Sequence, residues 1–435
     1  MTPDQSTRTI KIEALTRVEG EGGLQVRLRN GVIEDVQLQI YEPPRFFEAF
    51  LRGRSVEEVP DITARICGIC PVAYQMSSVH ALECALGVSV TPEIRRLRRL
   101  LYCGEWIESH ALHIYLLNAP DFLGFESGLE MAERFPDEVN RGLRLRKIGN
   151  QLLEALGGRA IHPINVAVGG FYRSPLREAL QQLIPQFEWA VEAAVETTRW
   201  VAGFEFPDLT CNYELVSLTH PDEYPMNEGV ISGSSGWSAP VSDFETEFIE
   251  RQVAHSTALH CVRTGGTSYL VGPLARIALN LEQLSPTARR LAHELPLVWP
   301  CLNPFQSIVA RGLELIHAFE EALSILRSYQ PAQPTRIPYE YRPGVGWSAT
   351  EAPRGLLYHR YRVDEAGLVC EAKIVPPTSQ NQRQIELDLR QWLPDIIAQP
   401  DEIVARKSEN LVRCYDPCIS CSTHFLRVVI ERGTS

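Results

Sequence analysis

Apolar and polar residues alternate near the N-terminus. Ile10 and Ile12, then Leu24, Val26 and Leu28, then Val36, Leu38 and Ile40 recur with a period of two, the pattern of strands with one face against a core. Asn30-Gly31 is a strong two-residue hairpin signal, so residues 8–40 are expected to form an antiparallel meander. From residue 71 the period lengthens. Val72, Met76, Val79, Leu82 and Leu86 make a helical stripe that opens at Pro71 and stops at Gly87. Thr91-Pro92-Glu93 opens a second helix, whose stripe is Ile94, Leu97, Leu101, Ile107, Ala111 and Ile114. Ser174-Pro175 is expected to cap a long helix reaching Val195, and further helices are expected over Ala310–Leu323, Ile385–Ile396 and Glu402–Val412. Strands should flank the Asp364–Gly367 turn. The expected fold class is mainly α with an N-terminal antiparallel β meander, an α+β arrangement. No linker or charge block divides it, so residues 1–435 are expected to form a single compact domain.

Composition narrows the partners. A net charge of −12 argues against nucleic acid, because phosphate binding needs a basic surface. No apolar run is long enough to span a bilayer and the N-terminus lacks a secretory apolar core, so direct membrane insertion is not expected. Eleven cysteines, an odd number, suit a reducing cytoplasmic compartment better than a disulfide framework. Four of them form two Cys-x2-Cys pairs, Cys67/Cys70 and Cys418/Cys421, with 347 residues between the pairs. That spacing lets two thiolates from one turn share a metal, and a site built from both pairs closes only after folding. On spacing alone a structural zinc site and a redox metal centre stand level.

The flanking residues separate the two. Arg65-Ile66-Cys67-Gly68-Ile69-Cys70-Pro71 and Asp416-Pro417-Cys418-Ile419-Ser420-Cys421-Ser422-Thr423-His424 resemble the two metal-binding signatures of the nickel-iron hydrogenase large subunit. The resemblance extends over nearly the whole chain. It implies a nickel-iron centre with carbon monoxide and cyanide on the iron, Cys67 and Cys418 as terminal nickel ligands, and Cys70 and Cys421 as bridges. Arg17-Val18-Glu19-Gly20 resembles the family motif whose glutamate passes protons to and from the metals, which assigns that role to Glu19. Glu48 and His424 match the residues that hold a magnesium (or iron) ion near the C-terminus. Glu351-Ala352-Pro353-Arg354-Gly355 resembles the segment that places a guanidinium over the open coordination position, giving Arg354 that role with Pro353 beside it and Asp416 as its orienting partner. Pro376 and Thr378 fall where relatives face the cyanides. Pro377 replaces a hydroxyl there, leaving Thr378 or a backbone N–H to donate.

The sequence also departs from the family. Tyr74 stands where many members have a histidine and Ser109 where many have an aspartate. His110 and His113 are read as buried, hydrogen-bonded residues rather than ligands. The Gly157–Gly170 and Tyr269–Arg276 stretches match family segments, but their glycines are read as packing positions.

The implied reaction is reversible heterolysis of hydrogen, with the proton leaving through Cys418 and Glu19. The other seven cysteines contain no Cys-x2-Cys, so electrons need a separate iron-sulfur small subunit. Within the family the short C-terminal motif looks most like the cytosolic bidirectional NADP-linked sulfhydrogenases, which implies diaphorase subunits carrying flavin and binding NAD(P). It further implies a maturation endopeptidase that removes residues 425–435. A non-enzymatic subunit with structural zinc and a quinone-oxidoreductase large-subunit relative are the alternatives, the second disfavoured by the presence of all four cysteines.

Overall fold

The computed structural model describes residues 7–43 and 45–424; the expected removable extension, 425–435, lies outside the described residues. The meander forms as the alternation predicts. Strands Thr7–Ile12, Gly22–Arg29 and Val32–Ile40 pair antiparallel in sequence order. Asn30 and Gly31 both adopt positive φ, 53° and 77°, which makes the primed turn that matches strand twist. Leu24, Val26, Leu28, Val36, Leu38 and Ile40 all turn inward, and the last strand lies against the helix Pro377–Ile396.

Behind the meander, the helices Pro71–Leu86, Pro92–Leu112, Pro136–Gly157, Ile184–Ala202 and Ser307–Ser328 form the main body. Cys70 occupies the N-cap of the first, Pro71 its first position, and Gly87 ends it with φ 67°. Each fully buried Val, Met or Leu of its stripe contributes about 1.5–3 kcal/mol, far more than either cap. Thr91 caps the second helix by accepting the Ile94 N–H, and after Leu112 the helix widens into a π-helical turn, His113–Asn118.

One expected element is broken. The helix drawn from Ser174 to Val195 is two helices, Arg177–Gln181 and Ile184–Ala202, with Pro185 in the first turn of the second. Proline has no N–H and clashes with the carbonyl four residues back, so the chain stops and restarts there.

A second antiparallel sheet, Gly344–Ala352, Gly355–Val363 and Val369–Val375, packs on the Pro71–Leu86 helix. Its first two strands leave Pro353 and Arg354 at a tight hairpin tip. Pro376 then caps the Pro377–Ile396 helix, and Asp401–Cys414 delivers the chain to Asp416. Among the described residues no helix is long and apolar enough to cross a membrane.

Candidate metal centre

The two cysteine pairs meet. Cys67, Cys70, Cys418 and Cys421 are all buried, and their sulfurs lie within 4.8 Å of one another. Cys67 Sγ is 3.5 Å from Cys418 Sγ and accepts the backbone N–H groups of Ile69 and Cys70 at 3.3 and 3.2 Å. Cys418 and Cys421 are disulfide-bonded here, so holding an ion requires their reduced form.

Segments distant in sequence hold the C-terminal pair in place. Residues Glu19 and Cys418 form a parallel bridge, with the Ile419 N–H donating to the Glu19 carbonyl at 2.8 Å. The Cys418 N–H donates to Thr378 Oγ1 at 3.0 Å, and the His424 N–H to the Thr257 carbonyl at 2.9 Å. Gly20 shows how close the approach is: at φ 88°, a Cβ there would come within 2.8 Å of both Ile419 Cβ and Ser420 N. Only glycine permits that conformation and contact together.

Charged groups ring the sulfurs. Glu19 Oε2 lies 3.0 Å from Cys418 Sγ and accepts the Ser420 N–H at 3.1 Å. Arg354, 3% exposed, donates through Nε to the Asp416 carbonyl at 2.8 Å and through Nη2 to Asp416 Oδ1 at 3.2 Å. Arg354 Nη1 and Asp416 Oδ2, both sealed from water, have no partner among the described residues. Burial opposes the Arg354 cation, but Asp416, Cys70 and Cys67 outweigh it and raise its pKa. Burial pushes the Asp416 carboxyl up, but Arg354, His113, Arg311 and His110 together outweigh it and leave it below the usual range. Asp416 itself sits at φ 51°, a left-handed conformation that costs a non-glycine residue energy and that clusters at functional sites.

The two thiols of the N-terminal pair differ. Cys70 sits at a helix N-terminus, a place whose dipole favours a thiolate. Instead, its hydrogen bond to Cys67 and its burial push the Cys70 thiol up, while Cys67, despite burial, is lowered by the bond from Cys70 and by Arg354. The helix N-terminus is already taken: Glu105 accepts the Val72 and Ala73 N–H groups at 2.6 and 3.0 Å.

Glu48 and His424 also come together. Glu48 Oε2 is 3.1 Å from His424 Nε2, and Glu48 Oε1 accepts the Ile374 N–H at 2.7 Å. Pro376 joins Glu48, Cys421 and His424 in lining a cavity of about 270 Å³. Pro353 contributes its carbonyl to Arg276 Nη2 at 2.9 Å. At the two departures, the Tyr74 hydroxyl and Ser109 Oγ are buried without partners among the described residues. His113 is hydrogen-bonded as expected, its Nε2 2.8 Å from the Arg413 carbonyl, whereas His110 Nε2 lies 3.0 Å from Glu314 Oε2 but neither His110 nitrogen makes a hydrogen bond among the described residues.

Sequence reasoning missed the cluster that supports the Arg354 hairpin. Arg276 is fully buried and bonds both oxygens of Glu314 at 2.6 and 2.7 Å, Glu351 Oε2 at 3.1 Å, and the carbonyls of Ala352 and Pro353. Its available signal was charge inside apolar patterns: Glu314 falls within the helix Ser307–Ser328 and Glu351 within a buried strand. Gly355, at φ 134°, completes the support, since a Cβ there would meet Val271 Cγ2 at 2.6 Å. Four convergent soft sulfurs beside a desolvated guanidinium with a free N–H are a donor set that fits a thiolate-bound redox metal centre.

Comparisons with known proteins agree with this geometry. A family model described as nickel-dependent hydrogenase matches residues 45–139. The chain is 34% identical over 430 residues to the sulfhydrogenase 1 alpha subunit of Pyrococcus furiosus, spanning 96% of this chain and 98% of the relative. It is 35% identical over 424 residues to the sulfhydrogenase 2 alpha subunit of the same organism, spanning 96% and 100%. Among solved structures, an NAD+-reducing [NiFe]-hydrogenase in the H2-reduced state superimposes with a TM-score of 0.85 at 24% identity, covering 97% of this chain and 100% of that one. At that identity the likeness is one of fold.

Proposed function

The chain belongs to the nickel-dependent hydrogenase family, and from that premise we propose that it is the catalytic large subunit that cleaves hydrogen reversibly at its four-cysteine cleft. Cys67, Cys70, Cys418 and Cys421 would hold a nickel-iron pair, Cys70 and Cys421 as the bridging ligands. When bound, that pair supplies a redox-active Lewis acid for heterolysis, chemistry that zinc, with one stable oxidation state, does not offer.

The chain's own residues do the rest. Arg354 presents an always-charged, rigid guanidinium whose Nη1 is free to polarise a small molecule or to donate to a cyanide on iron. Asp416 fixes its orientation through two hydrogen bonds. Pro353, Pro376 and Thr378 would hold the carbon monoxide and cyanide ligands of that pair. A proton released at Cys418 Sγ has Glu19 Oε2 3.0 Å away as its acceptor, within the reach that proton transfer needs. Glu48 and His424 would hold the magnesium (or iron) ion, His424 becoming C-terminal once an endopeptidase removes residues 425–435.

Electrons leave through a partner. Among the described residues the only cysteine group with metal-binding geometry is the one in the cleft, which supports an iron-sulfur small subunit as the acceptor. A neighbour of the same fold that reduces NAD+ supports NAD or NADP as the final acceptor; flavin-bearing diaphorase subunits, a cytoplasmic heteromultimer and a single domain over 1–435 belong to the same proposal.

The observation that carries this reading is the convergence of the four sulfurs with Arg354 and Glu19. Its test is hydrogen-dependent dye reduction by the anaerobically purified complex, with metal analysis. The expected result is one nickel per chain and activity that scales with nickel; stoichiometric zinc, no nickel and no dye reduction would overturn it.

A further inference from the structure

The loop between the strands Phe248–Arg251 and His260–Arg263 folds against the helix Pro377–Ile396 and brings His255 and His260 onto Glu386. One ring nitrogen from each histidine and one Glu386 oxygen lie within 4.8 Å of one another. His255 Nε2 is 2.8 Å from Glu386 Oε1, which also accepts the Leu38 N–H at 3.1 Å. The carboxylate is therefore aimed by the backbone of the meander.

His260 is held differently. Its Nδ1 stands 3.9 Å from Glu386 Oε2, beyond hydrogen-bond length, and its Nε2 is sealed from water with no partner among the described residues. The nitrogen turned toward Glu386 is thus too far for a hydrogen bond, and the gap between ring and carboxylate is of the size that a bridging ion occupies. An ordinary His–Glu ion pair explains His255 and leaves His260 unexplained. Burial, aided by His255 and Arg383 and opposed by Glu386, lowers the His260 pKa to about 4, so the ring is neutral at pH 7 and has a lone pair to give. Arg383, the nearest cation, reaches Glu386 Oε2 at 3.5 Å, but its side chain is 48% exposed and can swing into solvent.

The geometry points to a further metal site, separate from the cysteine cleft and from Glu48 and His424, in which His255, His260 and Glu386 hold one divalent ion of the zinc class. Two imidazoles and a carboxylate suit such an ion, whereas magnesium prefers oxygen alone. Ligand atoms bonded at about 2.1 Å to a tetrahedral ion lie about 3.4 Å apart, so the 3.9 Å between His260 Nδ1 and Glu386 Oε2 needs only a small contraction. The ion would act as a clamp. The same loop seats the end of the described chain, through the Thr257 carbonyl to the His424 N–H and the Ala258 bridge to Thr423.

The test uses the assembled, nickel-containing complex, stripped of loosely bound metal by a chelator, titrated with zinc chloride and desalted. One zinc per chain should be retained, with only nitrogen and oxygen in its X-ray absorption shell and nickel unchanged. His260→Gln and, separately, His255→Gln should each weaken zinc retention by at least the roughly 10–100-fold that losing even an outer partner of a metal ligand costs. His255 has 19% side-chain exposure, so its variant keeps the test open if His260→Gln fails to assemble. Zinc should also slow amide exchange at Thr257 and Ala258 in the wild type only. No retained zinc, sulfur in the zinc shell, retention unaffected by either substitution, or unchanged exchange would each overturn the proposal.

Discussion

Arg276 and Arg354 are both buried arginines serving the same hairpin, yet their surroundings differ in one respect. Arg276 spends its guanidinium on Glu314, Glu351 and two carbonyls, and each of its three nitrogens has a partner. Arg354 spends Nε and Nη2 on Asp416 and leaves Nη1 with no partner among the described residues. A buried donor left unpaired costs about 1–3 kcal/mol, and this one stands beside four sulfurs, where a bound ligand can take it up. The saturated cluster builds the scaffold; the unsaturated one faces the chemistry.

Substitutions can break that division. The largest expected effect is on activity at the unsaturated arginine: Arg354→Lys keeps the charge but loses the planar fork. Hydrogen-dependent dye reduction should fall about 10²–10³-fold, the cost of removing one preorganised donor. Nickel content and thermal stability should stay near wild type, and an equal loss of nickel would mean that Arg354 is structural. Arg276→Leu should do the reverse. Leaving Glu314 and Glu351 buried without their cation should cost about 3–5 kcal/mol in denaturant unfolding, while activity per folded, nickel-loaded molecule stays within a few-fold of wild type.

A smaller effect concerns Glu108, whose carboxyl burial pushes up to about 7 against the pull of Arg146. Because the folded state keeps this proton to a higher pH than the unfolded chain, whose carboxyl titrates near 4.5, stability should fall as pH rises from about 4.5 to 7 and then level off. The contribution is at most about 3.5 kcal/mol, at about 1.4 kcal/mol per pH unit. In Glu108→Gln that component of the slope should vanish, as measured by unfolding across the same pH range; an unchanged slope would assign it to another group.

Much of this contrast was legible in the sequence, and the illegible part has a physical cause. The meander and the Pro71–Leu86 helix were readable because period, turn and cap all lie within a few residues of each other. The cleft was readable because its motifs are local at each end, although their meeting is not. The helix break before Pro185 was missed because the apolar pattern continues across it. The Arg276 cluster was missed because its acidic partners lie 38 and 75 residues away, and buried charge has no local pattern. His255, His260 and Glu386 were missed for the same reason: Glu386 is 131 residues from His255.

The central claim is that sulfurs from both ends of the chain share one redox-active pair of ions. Nickel-edge X-ray absorption of the reduced, purified complex tests it most directly. The account predicts a nickel shell of four sulfurs, with Cys67→Ser and Cys418→Ser each losing nickel although they lie at opposite ends of the sequence. A nickel shell of nitrogen and oxygen, or full nickel retention with either cysteine replaced, would contradict it.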